Sequence, residues 1–459
     1  MMAFPTQPPV GETPRPWTLP PHAVQDLGNG LRVAAVRLDG LPIAHVRWVF
    51  GSGRVHERRD RLGSGLLLQR AMRHGMSELK MSAFAQTLDG LGARLGGGVT
   101  IDSAMVSISG LSQHLWRFVD LATGVALKPA LPEIAVAAER HKAMQIHRHE
   151  WSKVDGITNL WLMHGLYGAH PYGLPRTTMA GLKATTREDL RTLHGAIVDP
   201  HRGLVLVVGQ VDVDRVVTRL AARFKDLPSQ TTPTPIVPPT PRRPAHKMIL
   251  IPVSGAETLS VGLGLPAVPR AHDDFGGLSV VNQVFGGSAS SRLFDDLRNR
   301  QALTYGAYSQ LDCGRHGGDI TSTVSVRPDD GVRCFEAMHR QLESVSGGDI
   351  SEDEIGRARR FLVGRFPQRA CGLAGMATLQ TVQWLHDLPH DEWSTEQART
   401  VAVSLSDAQR LAGQYFSPSS STWVAVGPHN QLADIGRSAS ALGLSIAERE
   451  PDVLEHPPS

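Results

Sequence analysis

A stretch dense in proline and threonine, Pro228–Lys247 (PSQTTPTPIVPPTPRRPAHK), divides the sequence into halves of nearly equal length. Proline lacks a backbone N–H and fixes φ, so such a stretch can neither propagate a helix nor sit inside a sheet. It reads as a semi-extended linker, and whatever folds must fold on either side of it. The expected organisation is an N-terminal domain over 1–227, a linker over 228–247 and a C-terminal domain over 248–459.

The halves repeat one pattern, which marks an internal duplication. Each opens with strand-like segments, Leu31–Val36 and Ile43–Phe50 in the first, Met248–Val253 and Leu259–Leu265 in the second. A helix-rich, glycine-containing stretch follows, then an alternating strand at Ala104–Ser109 or Ile320–Val326. Long helices come next, with acidic N-terminal signals at Pro132-Glu133 and at Ser351-Glu352-Asp353-Glu354. Each half closes on an apolar strand ending in glycine, Val205–Gly209 or Trp423–Gly427. Val46 and Val261, Val106 and Val324, and Gly209 and Gly427 stand at a nearly constant separation. The fold class expected is α+β: two homologous domains, each a mostly antiparallel sheet with helices to one side, in a clamshell arrangement.

Charge and cysteine usage narrow the setting. With 47 Lys+Arg against 44 Asp+Glu the net charge is +3, too balanced for an electrostatic nucleic-acid binder. The longest apolar runs, such as Gly203–Gly209 (GLVLVVG), fall far short of the roughly 18 residues of a membrane span. No nucleic-acid or membrane partner is expected. The start, MMAFPTQPPVGETPRPW, shows neither a basic nor an apolar signal-peptide region. Cys313, Cys334 and Cys371 are odd in number and widely spaced, which suits a reducing compartment and an expected cytoplasmic location.

No Walker loop, GxGxxG, GxSxG or CxxC is present. Two regions stand out instead. Arg61–Gly75 (RLGSGLLLQRAMRHG) reads as an apolar helix bounded by glycines. In Ser290–Tyr308 (SSRLFDDLRNRQALTYGAY), Ser290 or Ser291 can cap a helix running to about Ala302. Asp295 and Asp296 early and Arg298 and Arg300 late suit the helix dipole, and Leu303–Tyr308 reads as the next strand.

Taken together, these segments resemble the pitrilysin-type metallopeptidases, the inverzincin family that includes mitochondrial processing peptidase. The stretch from Gly63 through Ala83 to Leu91-Gly92-Ala93 stands where that family has its zinc helix and the following turn. His170-Pro171-Tyr172-Gly173 and the Val205–Asp212 strand ending match further family motifs, and Ser291-Arg292-Leu293-Phe294, Leu297-Arg298 and Leu303-Thr304-Tyr305 match a second-half motif. Active members carry HxxEH on the first helix, two His and a distant Glu binding zinc and the inner Glu acting as general base. Here that window is Leu66-Leu67-Leu68-Gln69-Arg70, and the distant ligand, seven residues after Glu139, falls on Ile146. Leucine has no lone pair to offer and Arg is a permanent cation, so no metal site is expected in this chain.

The resemblance also implies what is kept. Arg298 and Tyr305 match residues that bind the substrate backbone and stabilise the developing oxyanion in active relatives, with Arg at a helix end and Tyr on the adjoining strand. In two-subunit relatives one chain supplies HxxEH and the other this Arg/Tyr pair. The function expected is a zinc-free subunit of a bacterial heterodimeric metallopeptidase that acts on a peptide or leader peptide. It would have no independent activity, no cofactor of its own, and a partner that holds the zinc. The alternative is a scaffolding relative with no part in hydrolysis. In this architecture an extended peptide adds a strand to a sheet edge, expected at Gly97–Ser107 through Gly97, Val99 and Ile101.

Other features read as structural. Leu66–Leu68 read as core, Arg70 as a surface or snorkelling cation, and the glycine clusters at 96–98 and 286–287 as tight turns. His141, His147, His149 and Glu150 read as a solvated helix face, since His147 and His149 project about 160° apart.

Overall fold

The computed structural model describes residues 17–228 and 246–455, so most of the Pro-rich stretch, residues 229–245, lies outside the described residues. Six strands form the first sheet: β1 (His22–Asp26), β2 (Arg32–Arg37), β3 (Ile43–Phe50), β4 (Arg94–Val99), β5 (Ala104–Leu111) and β6 (Gly203–Gly209). Their order is β1-β2-β6-β3-β5-β4. The second sheet contains β7 (Lys247–Pro252), β8 (Leu259–Ala267), β9 (Ser309–Cys313), β10 (Gly318–Val326), β11 (Thr422–Gly427) and β12 (Ser445–Glu448). Its order, β12-β7-β11-β8-β10-β9, superposes strand for strand on β2-β6-β3-β5-β4, with the sixth strand entering from the opposite end of its half.

Both sheets are mostly antiparallel, the parallel pairs being β2/β6, β7/β11 and β7/β12. Register refines the repeat. Val46 stands opposite Ile108, and Val261 opposite Val324. The counterpart of Val324 is therefore Ile108, two residues from the Val106 expected from the sequence.

Each half packs its own helices on one face of its sheet. Phe118 of helix Leu115–Leu127 and Phe224 of Val213–Phe224 join Trp48 and Val205 in the first core. Phe335 and Leu342 of helix Gly331–Ser346 join Trp423 and Val261 in the second.

The other face is covered too, contrary to the one-sided arrangement expected, and the cover comes from the opposite half. Helices α1 (Ser64–Met72), α2 (Glu133–Trp151) and α3 (Val154–Tyr167) lie in the first half, and α4 (Glu352–Arg369) and α5 (Gly372–Leu385) in the second. On α3, Trp161 and Leu162 bury against Ile249, Val424 and Val426 of the second sheet. Reciprocally, Phe366 of α4 and Met376 and Leu379 of α5 bury with Trp393 against Val36, Val49, Leu204 and Leu206 of the first.

Two glycines permit the approach of α3. A Cβ at Gly262 would stand 2.7 Å from Thr158 Cγ2, and one at Gly264 2.9 Å from Leu166 Cδ1. Covering both faces removes apolar strand surface from water on each side, which is why β6 is buried at every position. The two halves interlock.

Polar contacts pin the seam. Tyr167 Oη donates across it to Asp319 Oδ2 at 2.6 Å, and Tyr172 Oη, which donates to Asp102 Oδ2 within the first half, accepts from the His316 N–H of the second at 3.2 Å. Burial pushes the Asp319 carboxyl up to about 7, against the opposing pull of the Tyr167 hydrogen bond.

Candidate functional site

The helix expected to occupy the zinc position is present. Gly63, at φ +112°, turns the chain into α1 in a conformation that favours glycine. Leu66, Leu67 and Leu68 are buried in the first core, as the sequence implied.

The polar residues of the window are engaged inside the chain. Gln69 Nε2 donates to the Gly97 carbonyl at 2.9 Å. Arg70 Nη1 lies 3.7 Å from Glu139 Oε2 on α2, so the cation read as a surface group faces a carboxylate of its own chain. His74 Nε2 and Lys142 Nζ reach the other oxygen of Glu139 at 3.2 and 2.9 Å. Burial resists ionisation of Glu139, but the hydrogen bonds from Lys142 and His74 hold its carboxyl below the ordinary range. Ile146 lies on α2 and is exposed.

Zinc does not fit this donor set. Leu66, Arg70 and Ile146 offer no lone pair, and the Gln69 amide is spent on a strand carbonyl. Among the described residues no group of three His, Cys, Asp or Glu is placed to hold a metal.

The histidine-rich end of α2 divides. His141, His149 and Glu150 are exposed, as a solvated face requires, but His147 is not. It is 2% exposed, with Nδ1 2.8 Å from Thr177 Oγ1 and Nε2 against the Glu455 carboxylate. The other oxygen of Glu455 accepts from the Met179 amide at 2.7 Å. No spacing in the sequence reveals this contact, because it joins residues from opposite ends of the chain.

The Arg/Tyr segment departs from its expected form. After Ser291 comes a single helical turn, Arg292–Phe294, and then a π-helical turn, Asp295–Arg300. Leu303 N–H closes onto the Leu297 carbonyl at 2.8 Å, and Ala302 sits at φ +52°. The wider turn and the left-handed residue end the helix, and 303–308 run as loop instead of strand. Tyr305 is therefore a loop residue, 97% exposed, while β9 begins only at Ser309.

Arg298 is exposed, with Cζ 4.7 Å over the Phe294 ring, whose other neighbour is Tyr308 at 5.2 Å between ring centroids. Among the described residues, neither the Arg298 guanidinium nor the Tyr305 hydroxyl has a hydrogen-bond partner. Arg292 anchors the base of the segment. It donates to Glu354 at 2.7 and 2.9 Å and to Ser344 at 2.8 Å. Burial opposes ionisation of Glu354, yet Arg292 and the Ser351 backbone and hydroxyl hold its carboxyl at about 2. The Ser351/Glu354 capping box of α4 thus also fixes the Arg/Tyr segment. Beside this segment a groove of about 670 Å³ opens, lined by Arg292, Asp295, Asp296, Asn299 and Arg300 among others.

The expected peptide edge is a hairpin and not one strand. Gly97 and Val99 lie on β4, at the end of the sheet, while Ile101 lies past it in the turn to β5, an inner strand. Gly96, Gly97 and Gly98 are strand residues and not a turn. The outward carbonyls of β4 are partly taken, Gly97 by Gln69 and Leu95 by Arg73 Nη2 at 3.2 Å. Gly286 does make a tight turn at the end of its helix, where the Gly286 and Gly287 N–H groups both donate to the Asn282 carbonyl at 2.9 Å.

Comparison with known proteins agrees with this geometry. Residues 184–362 match the family described as "Peptidase M16 inactive domain". An uncharacterized zinc protease of Mycobacterium leprae is 28% identical over 341 residues, covering 74% of this chain and 76% of that protein. The zinc protease PqqE of Helicobacter pylori is 23% identical over 428 residues, covering 89% and 94%. Among solved structures, the peptidase M16 inactive domain from Pseudomonas fluorescens superposes with a TM-score of 0.81 at 20% identity, covering 89% of this chain and 98% of that one. A Helicobacter pylori protease also gives 0.81, at 21% identity, covering 89% and 100%.

Proposed function

We propose that this chain, which is similar to the pitrilysin-type (M16) peptidases and carries none of that family's metal ligands, is the zinc-free subunit of a heterodimeric metallopeptidase. Its partner is an HxxEH-containing relative that supplies the zinc ligands and general base. This chain contributes Arg298 and Tyr305 as donors to the carbonyl oxygen of the scissile peptide bond, where negative charge develops. The substrate is an extended peptide such as a precursor leader, paired along β4 at Gly97 and Val99 with Ile101 flanking.

The observation that carries this reading is the state of the pair. Tyr305 is 97% exposed, and the anchored segment beneath it leaves two strong donors without intramolecular partners. A guanidinium on an anchored helical turn and a phenol on the loop that follows it, both turned outward, suit a target outside the chain. Free cysteines at 313, 334 and 371 support a cytoplasmic setting, and among the described residues no helix is long and apolar enough to cross a membrane.

The test is activity on a fluorogenic peptide library, measured for this chain, for an HxxEH relative encoded nearby, and for the two co-expressed. Activity confined to the co-purified pair is the expected result. Full activity of the relative alone would reduce this chain to a scaffold. Chelator-sensitive activity of this chain alone would contradict the reading of Leu66–Arg70.

A further inference from the structure

Side-chain placement on α1 bears on how β4 is used. Residues of one parity on an edge strand turn both backbone groups outward, so the groups of Leu95, Gly97 and Val99 form the row an added strand must meet. Two of those carbonyls already have donors. Gln69 Nε2 sits 2.9 Å from Gly97 O, and Arg73 Nη2 3.2 Å from Leu95 O. The donors are four residues apart, Gln69 on α1 and Arg73 at its helical C-cap, and so stack on one side, matching two outward carbonyls two residues apart on the strand.

The cleft between helix and strand, lined by Leu68, Met72, Leu95, Val99, Val106 and Val125, encloses only about 20 Å³, room for a single water. The three glycines 96–98 contribute no side chain to hold the cleft open. Gln69 has no charge to keep it in water, and its position is the one at which active relatives place their general base.

We propose that Gln69 and Arg73 form an intramolecular lock on β4, standing in for the backbone donors of a peptide strand, so that an extended peptide binds this edge only by displacing both. This rests on the reading of β4 as the peptide-binding edge and adds its regulation. In the locked state two of its outward carbonyls are satisfied, which leaves the edge less open to unwanted strand pairing. Opening needs only rotation of two side chains, the core leucines staying in place. A peptide already held at a partner's site would supply that displacement locally, at high effective concentration.

The experiment uses the full chain and a neutral, fluorescently labelled peptide of alternating Val and Gln, read by anisotropy. A second peptide has Pro in place of every Val and so cannot pair. The variants are Gln69→Glu with Arg73→Met, Val99→Pro alone, and all three together. Glutamate keeps the shape of glutamine but cannot donate to Gly97, and circular dichroism melts check that each variant folds.

The lock predicts affinity raised roughly tenfold or more in the double variant, for the pairing peptide only, with the gain lost when Val99→Pro is added. A gain that survives Val99→Pro, or extends to the Pro-containing peptide, places binding elsewhere and overturns the proposal. Unchanged affinity in the double variant, with Val99→Pro still weakening binding to the parent chain, overturns the lock and keeps the edge. Loss of neither, with no binding to any form, overturns both.

Discussion

The α1–β4 region of the first half, where a helix lies against the end strand of its sheet, and the Arg298–Tyr305 segment of the second, which leads into the end strand β9, are in opposite states. Around α1 every polar group that replaces a family ligand has found a partner at home: Gln69 on Gly97, Arg70 on Glu139, and Glu139 shared further with His74 and Lys142. Around Arg298 the anchoring is complete one layer down, through Arg292 and Glu354, while the two donors above it face outward. One region is settled into ordinary packing. The other retains groups whose exposure brings the isolated chain no stability. The proposed function therefore rests on these two exposed donors and not on the degenerate motif.

Substitutions in the two regions should consequently fail in different ways. The largest expected effect is on folding. Leu67, fully buried on α1, should cost about 2–5 kcal/mol in urea unfolding as Leu67→Ala, and a cost near zero would mean α1 is not part of the first core.

Next comes the seam that holds the two regions in register. Asp319 has its folded pKa raised to about 7, above its unfolded value of 3.8, so the folded state holds the proton longer. The group's stability is complete below about pH 4 and is lost as pH rises towards 7. Asp319→Asn removes that loss. It should stabilise the chain by roughly 2–4 kcal/mol at pH 8 and by little at pH 4 in matched denaturation curves. An equal shift at both pH values would contradict the buried, protonated state.

A smaller effect is expected at the filled pseudo-site. Glu139→Gln leaves Arg70 and Lys142 without their carboxylate but close to water, and should cost about 1 kcal/mol without touching the activity of a reconstituted pair. The smallest expectation is none: zinc added to the purified chain should leave its melting temperature unchanged, because a ligand stabilises only a state that binds it. A concentration-dependent rise would reopen the question of a metal site.

Much of the fold was legible because a strand's alternation and a helix's period survive in a single sequence. The repeat, the positions of β2, β3, β5 to β8, β10 and β11, and the capping signals at Ser351–Glu354 follow from local chemistry. The interlocking of the halves was less accessible, since an amphipathic helix declares that it has a buried face and not which sheet buries it. One signal existed: Gly203–Gly209 is apolar without alternation, the pattern of a strand covered on both faces. The helical form of Ser291–Arg300 was only half visible. Its charge order suits a helix, but the π turn and the left-handed Ala302 that end it arise from closure of Leu303 onto Leu297.

At the site, the missing ligands were plain from residue type alone. The Gln69–Gly97 bond and the Glu139 cluster were not, because they join elements whose separation in sequence carries no periodic mark. His147 was misjudged for the same reason, its partner Glu455 lying at the far end of the chain.

The central claim is that this chain supplies donors to another chain's reaction. Its most direct test is steady-state kinetics of the co-purified pair with Arg298→Ala or Tyr305→Phe introduced here. The account predicts kcat lower by about a hundredfold for either variant, the size expected for losing one oxyanion donor, with melting temperature and pair assembly unchanged. Undiminished kcat in both variants, with the pair intact, would contradict it and leave the chain a scaffold.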